Sequence, residues 1–373
     1  MKEKQVVVCT DGIFPHAVGG MQRHSRLLIE NLAALNTWKI IVIHPHPEKI
    51  FSSFTNIEEV NIKGIDPKKK YLRECYNYSK RVYNVIQNYP HAVIYSQGLS
   101  VWYKQSTFSK RLIVNPHGLE PFQAIGVKDK LVAIPFKYIF KKIFNKASYI
   151  ISLGGRLTDI LSSIVPAQKI VVIPNAVEPV QLAERSFDHE PLRLLFVARF
   201  AHNKGIHILM RAIKNLNKEG SGSRFQFHLA GKGPLFKKYT SENNEKNIVF
   251  HGFVTDEQLH DLYRTSDAFV FPTLFEGMPT VILEAMTNGL PVISTDTGAV
   301  SELVDSNSGW LIQKNSVSQL EDALKCFANS NTEQKKSMSN YAKNKVLEKF
   351  TWQRVAQAHV LLFDTIYQSK NKE

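Results

Sequence analysis

The stretch FEGMPTVILEAMTNGLPV, residues 275–292, sets two carboxylates, Glu276 and Glu284, eight positions apart around a Gly-Met-Pro step. It follows the apolar run FVFPTL, so the order reads strand, loop, helix. Gly277 lets backbone approach a ligand closely, and Pro279 suits a first helical turn, where its missing N–H costs nothing. The N–H groups of Gly277, Met278, Thr280 and Val281 then point at whatever occupies the strand end, where the helix dipole favours an anion. Glu276 is expected at the mouth and Glu284 about one and a half turns into the helix, so the two reach different parts of one elongated ligand. Carboxylates accept hydrogen bonds from hydroxyls, and a sugar at one end with a ribose at the other satisfies both. Taken alone, the pair also reads as a dipole-complementing charge and a solvated helix residue.

Neighbouring fragments favour the first alternative. FVARFAHNKG supplies Arg199 and Lys204 just after an apolar run, a pairing able to stabilise charge on a departing diphosphate, though a surface charge pair reads equally well from that fragment. TDGIFPHAVGGMQRHS places Gly19 and Gly20 at a helix start, where backbone amides can approach a phosphate, or where a plain loop simply turns. Neither a G-x-G-x-x-G fingerprint nor a Walker sequence occurs. RLIVNPHGLEPF puts His117 directly after a strand, and HLAGKGPL puts Gly231 and Gly233 in another strand-end turn.

These residues need strands to present them. QVVVC, WKIIVIH, HAVIYS, RLIVN, ASYIISL and KIVVIPN alternate with helical patterns in the first half. After the polar stretch EPVQLAERSFDHEPL the rhythm restarts with RLLFVARF, RFQFHLAG, NIVFHGF, DAFVFPT and PVISTD. Two α/β domains with doubly wound parallel sheets are predicted, with a linker around residues 178–191. Ligands of such sheets sit outside the carboxyl ends of the strands, which makes a cleft between the domains the expected binding place. FTWQRVAQAHVLLFDTIY reads as one amphipathic helix with no strand after it, free to pack on either domain.

Length and composition agree with two globular domains: 373 residues, 43% hydrophobic and 21% charged, with disorder expected only in the tail QSKNKE. No secretion signal and no membrane-spanning run is read, and Cys9, Cys75 and Cys326 have no metal-ligand spacing, so a reduced cytoplasmic protein is expected. The net charge of +14 is uneven. Residues 1–185 hold 25 Lys and Arg against 13 Asp and Glu, whereas residues 186–373 hold 22 against 20. The first half is therefore expected to meet an anionic partner. Within it, PFKYIFKKIFNK, residues 135–146, spaces Phe136, Ile139, Phe140, Ile143 and Phe144 along a helix flanked by Lys137, Lys141, Lys142 and Lys146. Such a helix suits an anionic membrane surface, or packs its stripe on its own core. No RRM, helix-turn-helix or zinc signature accompanies the lysines, so no nucleic-acid partner is expected, and a basic nucleic-acid-binding protein is the remote alternative.

The co-occurrence, in order, of GG at 19–20, HG at 117–118, VIPNAVE, VARFAHNKG, AGKGP, HGFVTDEQLHDLY, EGMPTVILEAM and GAVSELV resembles the glycosyltransferases of family 4 along nearly the whole chain. The resemblance implies the GT-B fold, two Rossmann-like doubly wound domains facing across a cleft. The first would span 1–180 and bind the acceptor, the second would span 186–351 and bind the nucleotide sugar, and the final helix, 352–373, would pack back on the first. It also implies a retaining transfer of a hexose from a nucleotide-diphosphate sugar, taken here as a UDP-sugar, without a bound metal or other cofactor. The expected acceptor is a glycan or lipid-linked molecule of cell-envelope or exopolysaccharide synthesis. Arg199 and Lys204 would then hold the diphosphate, Glu284 the ribose, and Glu276 with the amides of Gly277 and Met278 the sugar, beside Pro279 and Thr280. Gly20, next to Gly19, would approach the phosphate, and His117 would sit by the sugar. Gly231 and Gly233 would line the nucleotide side, and Phe253 and Val254 would lie near the base. Ala198 stands at a common glycine, and DSNSGWLI replaces a tidier turn. A metal-free nucleotide-sugar epimerase on the same architecture is the alternative.

Overall fold

A computed structural model describes residues 3–17, 19–124, 126–180 and 185–370. The chain divides into two compact units, Met1–Asn175 with Trp352–Glu373, and Ala176–Thr351.

In the first unit, apolar runs buried on both faces form the central strands of a seven-stranded parallel sheet. Its strands are β1 (Gln5–Cys9), β2 (Lys39–His44), β3 (Ile57–Asn61), β4 (Val93–Gln97), β5 (Leu112–Asn115), β6 (Tyr149–Ser152) and β7 (Ile170–Val172). Their order is β3-β2-β1-β4-β5-β6-β7, so the chain reverses direction across the sheet between β1 and β4. The longer connections carry helices α1 (Gly20–Ala34), α2 (Tyr71–Ile86), α3 (Val127–Lys146) and α4 (Arg156–Ser162). On α3, Ile139, Phe140, Ile143 and Phe144 are buried, with the Phe140 and Phe144 rings 5.5 Å apart, and Phe136 is half-buried against Tyr71. Of the two alternatives for this stripe, a membrane surface or its own core, these residues take the core. Packing these four large apolar side chains against the unit removes them from water, which stabilises the fold.

The second unit repeats the plan with β8 (Leu192–Val197), β9 (Phe225–Ala230), β10 (Ile248–Gly252), β11 (Ala268–Phe271), β12 (Val292–Thr295) and β13 (Gly309–Ile312), parallel in the order β10-β9-β8-β11-β12-β13. Helices α5 (Ile206–Lys218), α6 (Phe236–Ser241), α7 (Asp256–Thr265), α8 (Thr280–Thr287), α9 (Val300–Leu303), α10 (Val317–Asn329) and α11 (Thr332–Lys349) connect and follow them. Helix α7 begins in a reciprocal cap, in which the Thr255 hydroxyl accepts from Gln258 N and the Gln258 side chain accepts from Thr255 N.

The division falls between Asn175 and Ala176, ahead of the expected linker at 178–191. Val177 already belongs to the second unit, where it bridges to Thr351 and its N–H donates to Phe350 O at 2.9 Å. Residues 181–184 of that stretch lie outside the described residues. The last helix, α12 (Trp352–Lys370), belongs to the first unit. Its Phe363 ring lies 5.6 Å from Trp38 and 6.1 Å from Tyr95, and Asp364 pairs with Lys4 at 2.6 Å. The helix runs into the QSKNKE tail, whose last three residues lie outside the described ones.

Candidate active site

In the second unit the candidate residues follow the carboxyl ends of β8, β9, β10 and β11. Lys204 Nζ donates to Glu276 Oε1 at 2.6 Å, and both side chains keep some solvent access. The Thr273 hydroxyl lies 3.0 Å from the same carboxylate oxygen and 3.0 Å from Asn203 O. Leu274 N donates to Asn203 O at 2.8 Å, so the loop after β8 is stitched to the loop after β11. Gly205 makes that approach possible. Its φ is +72°, and a Cβ there would run into the carbonyl of Pro272. A third loop joins from β12, where Ala299 N donates to Gly277 O at 2.8 Å and Gly298, at φ +56°, packs against the carbonyls of Glu276 and Gly277.

Arg199 is exposed, two residues past the end of β8 in the loop that leads to Lys204. Met278 and Pro279 are buried and Gly277 and Thr280 half-buried. Helix α8 begins at Thr280, and Pro279 is its N-cap at φ −72°, ψ 117°, one position earlier than a first-turn proline. Glu284 is consequently the fifth residue of α8, little more than one turn in. Its Oε2 accepts from the Tyr263 hydroxyl of α7 at 2.9 Å. Gly231 and Gly233 serve close backbone packing: a Cβ on the first would strike Ala198 O, and on the second would sit 2.6 Å from Phe200 O. Phe253 is 75% exposed just after β10, with Val254 half-buried beside it.

In the first unit, Gly19 and Gly20 are exposed at the start of α1, and a Cβ on Gly20 would meet open space. His117 follows β5 in a left-handed conformation, φ +58°, held by its N–H donating to Asn115 Oδ1 at 2.9 Å. Its ring packs edge-on against His24 of α1 at 4.7 Å, and His24 in turn lies 5.2 Å from Trp352. Burial first, and the neighbouring His359 second, push His117 down to about 3, so the ring is neutral near pH 7. His117 Nε2, His24 Nδ1 and Trp352 Nε1 are buried without a hydrogen-bond partner among the described residues.

The structure thus joins Lys204 directly to Glu276 and brings His117 near the start of α1 through His24. Thr273, Gly205, Gly298, Tyr263 and His24 belong to these arrangements and were not singled out from sequence. Gly205 had a signal in the Asn-Lys-Gly step; the others are held by partners far away in the chain. Chemically, an ammonium and an exposed guanidinium at one strand end can counter phosphate charge, while Glu276 and Glu284 accept hydroxyls. Among the described residues no three His, Cys, Asp or Glu side chains converge as metal ligands.

The family model for glycosyltransferase family 4 matches residues 18–181, and that for glycosyl transferases group 1 matches 178–345. The chain belongs to these glycosyltransferases. It is 26% identical over 262 residues to the putative colanic acid biosynthesis glycosyltransferase WcaL of Salmonella typhimurium, covering 66% of this chain and 63% of the relative. The chain spans less than two thirds of the length of the first curated relatives it matches. Among solved structures, sucrose-phosphate synthase from Thermosynechococcus elongatus superposes with a TM-score of 0.79 at 17% identity, over 99% of this chain and 100% of that one. Anabaena HepE, in complex with UDP and glucose, gives 0.67 at 16% identity over 97% and 100%. The fold is GT-B.

Proposed function

We propose that the chain is a retaining hexosyltransferase that uses a UDP-sugar, without a bound metal, and builds an exopolysaccharide or envelope glycan on a glycan or lipid-linked acceptor. The observation that carries this is the knot of Lys204, Glu276 and Thr273 at the adjacent ends of β8 and β11, with Arg199 exposed in the same loop as Lys204. In the reaction the bond from the anomeric carbon to the diphosphate breaks and the acceptor oxygen bonds to that carbon, its proton passing to the departing diphosphate. Arg199 and Lys204 counter the charge that appears on the leaving group, a task given to Mg²⁺ where such cations are missing. Glu276 accepts sugar hydroxyls, with the amides of Gly277 and Met278. Glu284, oriented by Tyr263, takes the ribose, and exposed Phe253 offers a face for the base. The name of WcaL supports the biosynthetic setting, and the UDP bound to HepE supports the nucleotide. The chain is taken to work at the cytoplasmic membrane surface, where a lipid-carried acceptor would be met.

The test is release of nucleoside diphosphate from UDP-, GDP- and ADP-hexoses, with and without a lipid-diphosphate-linked glycan, in excess EDTA. Acceptor-dependent UDP release that survives EDTA is the expected result. Free isomerised nucleotide sugar without acceptor would make the chain an epimerase, and loss on chelation restored by Mn²⁺ would remove the metal-free chemistry.

A further inference from the structure

With the inner face of α3 committed to the core, its outer face carries a second apolar stripe. Val127, Leu131, Ile134 and Tyr138 recur at spacings of four, three and four residues, which puts them within roughly a 60° arc of the helix surface. They are 77%, 63%, 58% and 69% exposed. Single exposed apolar residues need no explanation, but a continuous stripe along three turns of one helix does. Lysines border it on both sides. Lys130, Lys137 and Lys141 follow one flank and Lys128 and Lys142 the other, while the one acid of the helix, Asp129, projects toward the opposite side.

We propose that this outer face of α3 docks the first unit on an anionic phospholipid surface. Leu131 and Ile134 would enter the acyl boundary, Tyr138 would sit at the headgroup level with its hydroxyl wet, and the flanking lysines would meet lipid phosphates. Charge complementarity selects this occupant. A second copy of the same face would set lysines against lysines on both flanks, whereas an anionic bilayer neutralises both at once. No helix among the described residues is long and apolar enough to cross a membrane, and the stripe is built for lying on one. The purpose of docking rests on the lipid-linked acceptor proposed above, but docking itself is measured without donor or acceptor, so the two fail separately.

The experiment is co-sedimentation of the full chain with vesicles of phosphatidylglycerol and phosphatidylcholine, against vesicles of phosphatidylcholine alone, at low and high salt. The parent should bind the anionic vesicles at low salt and be weakened by high salt. Leu131→Ser, Ile134→Ser and Tyr138→Ser together should lower partitioning at least about tenfold, and so should Lys137→Gln, Lys141→Gln and Lys142→Gln together. In a separate variant, Ile134→Trp should show a blue-shifted emission on anionic vesicles. Absence of binding by the parent, parental binding by the serine variant, or an unshifted Trp emission would overturn the proposal. A dimer in sedimentation velocity that the serine variant abolishes, without vesicle binding, would assign the face to self-association instead.

Discussion

The 2.6 Å contact between Lys204 and Glu276 holds two long side chains in one geometry before any ligand arrives. Exposed ion pairs contribute little to stability, and this one is partly solvated, so its main consequence is positional. Thr273 fixes the carboxylate from the other side, and Gly205 seats the lysine by allowing its loop to touch Pro272. A preorganised ammonium needs no rearrangement when charge develops on a leaving phosphate, the condition under which electrostatic stabilisation is most effective. Lys204→Ala and Arg199→Ala should therefore each lower kcat on the order of a hundredfold in the nucleoside-diphosphate release assay. Stability should move by less than about 1 kcal/mol, because Glu276 keeps Thr273 and solvent. Parental turnover in both variants would remove the pair from the chemistry. A collapse of the melting temperature would assign Lys204 to structure alone.

Helices α1 and α12 and the loop after β5 meet in a buried group of histidines. His117 is pushed down to about 3 and His359 to about 4, and His24 lies well below its ordinary 6.5, in each case mainly through burial. His359 donates through Nδ1 to Val355 O at 2.7 Å, and its Nε2 has no partner among the described residues. Because the folded values lie below 6.5, the unfolded chain takes up protons first as pH falls. The stabilisation is fully present above about pH 6.5 and is lost progressively as pH falls toward the folded values. Urea midpoints followed by fluorescence, with Trp38, Trp102 and Trp352 all in this unit, should be level above neutrality and drop between about pH 6.5 and 5. His359→Gln should flatten that slope whatever it does to the midpoint, and an equally steep slope would refute its burial as a neutral ring. None of this cluster was legible in the sequence beyond His117, because its members come from positions 24, 117 and 359. The central strands were legible, since residues buried on both faces read as continuous apolar runs. The edge strands β3 and β13 were not. IEEVN carries two carboxylates, Glu58 bonded to Tyr89 and Glu59 to backbone N–H groups, and β13 opens on Gly309. On α3 the lysines and apolar spacings were visible, but periodicity did not say which of two apolar faces the core takes. Arg199, Lys204, Glu276 and Glu284 could be picked out because they follow strands; Thr273 and Gly298 take their meaning from contacts between loops.

At the scale of the whole molecule, charge and proposed chemistry are divided between the two units. The excess of basic residues lies in positions 1–185, while Arg199, Lys204, Glu276, Glu284 and Phe253 all belong to Ala176–Thr351. A ligand that binds only the folded state stabilises the segments it contacts, by about 2.7 kcal/mol at a hundred times its dissociation constant. Hydrogen exchange can therefore assign the donor to a unit, since amides exchange through local openings that the ligand suppresses. Saturating UDP should slow exchange in peptides covering residues 198–205, 252–256 and 276–284, the loops after β8 and β10 and the start of α8. The α3 peptide, 127–146, should exchange as in the free protein. Anionic vesicles should reverse the pattern, protecting 127–146 and leaving 276–284 unchanged. Protection by UDP confined to the first unit would overturn the assignment of the donor to the second, and protection of 127–146 by UDP alone would show that the nucleotide, and not lipid, is the anion that α3 meets.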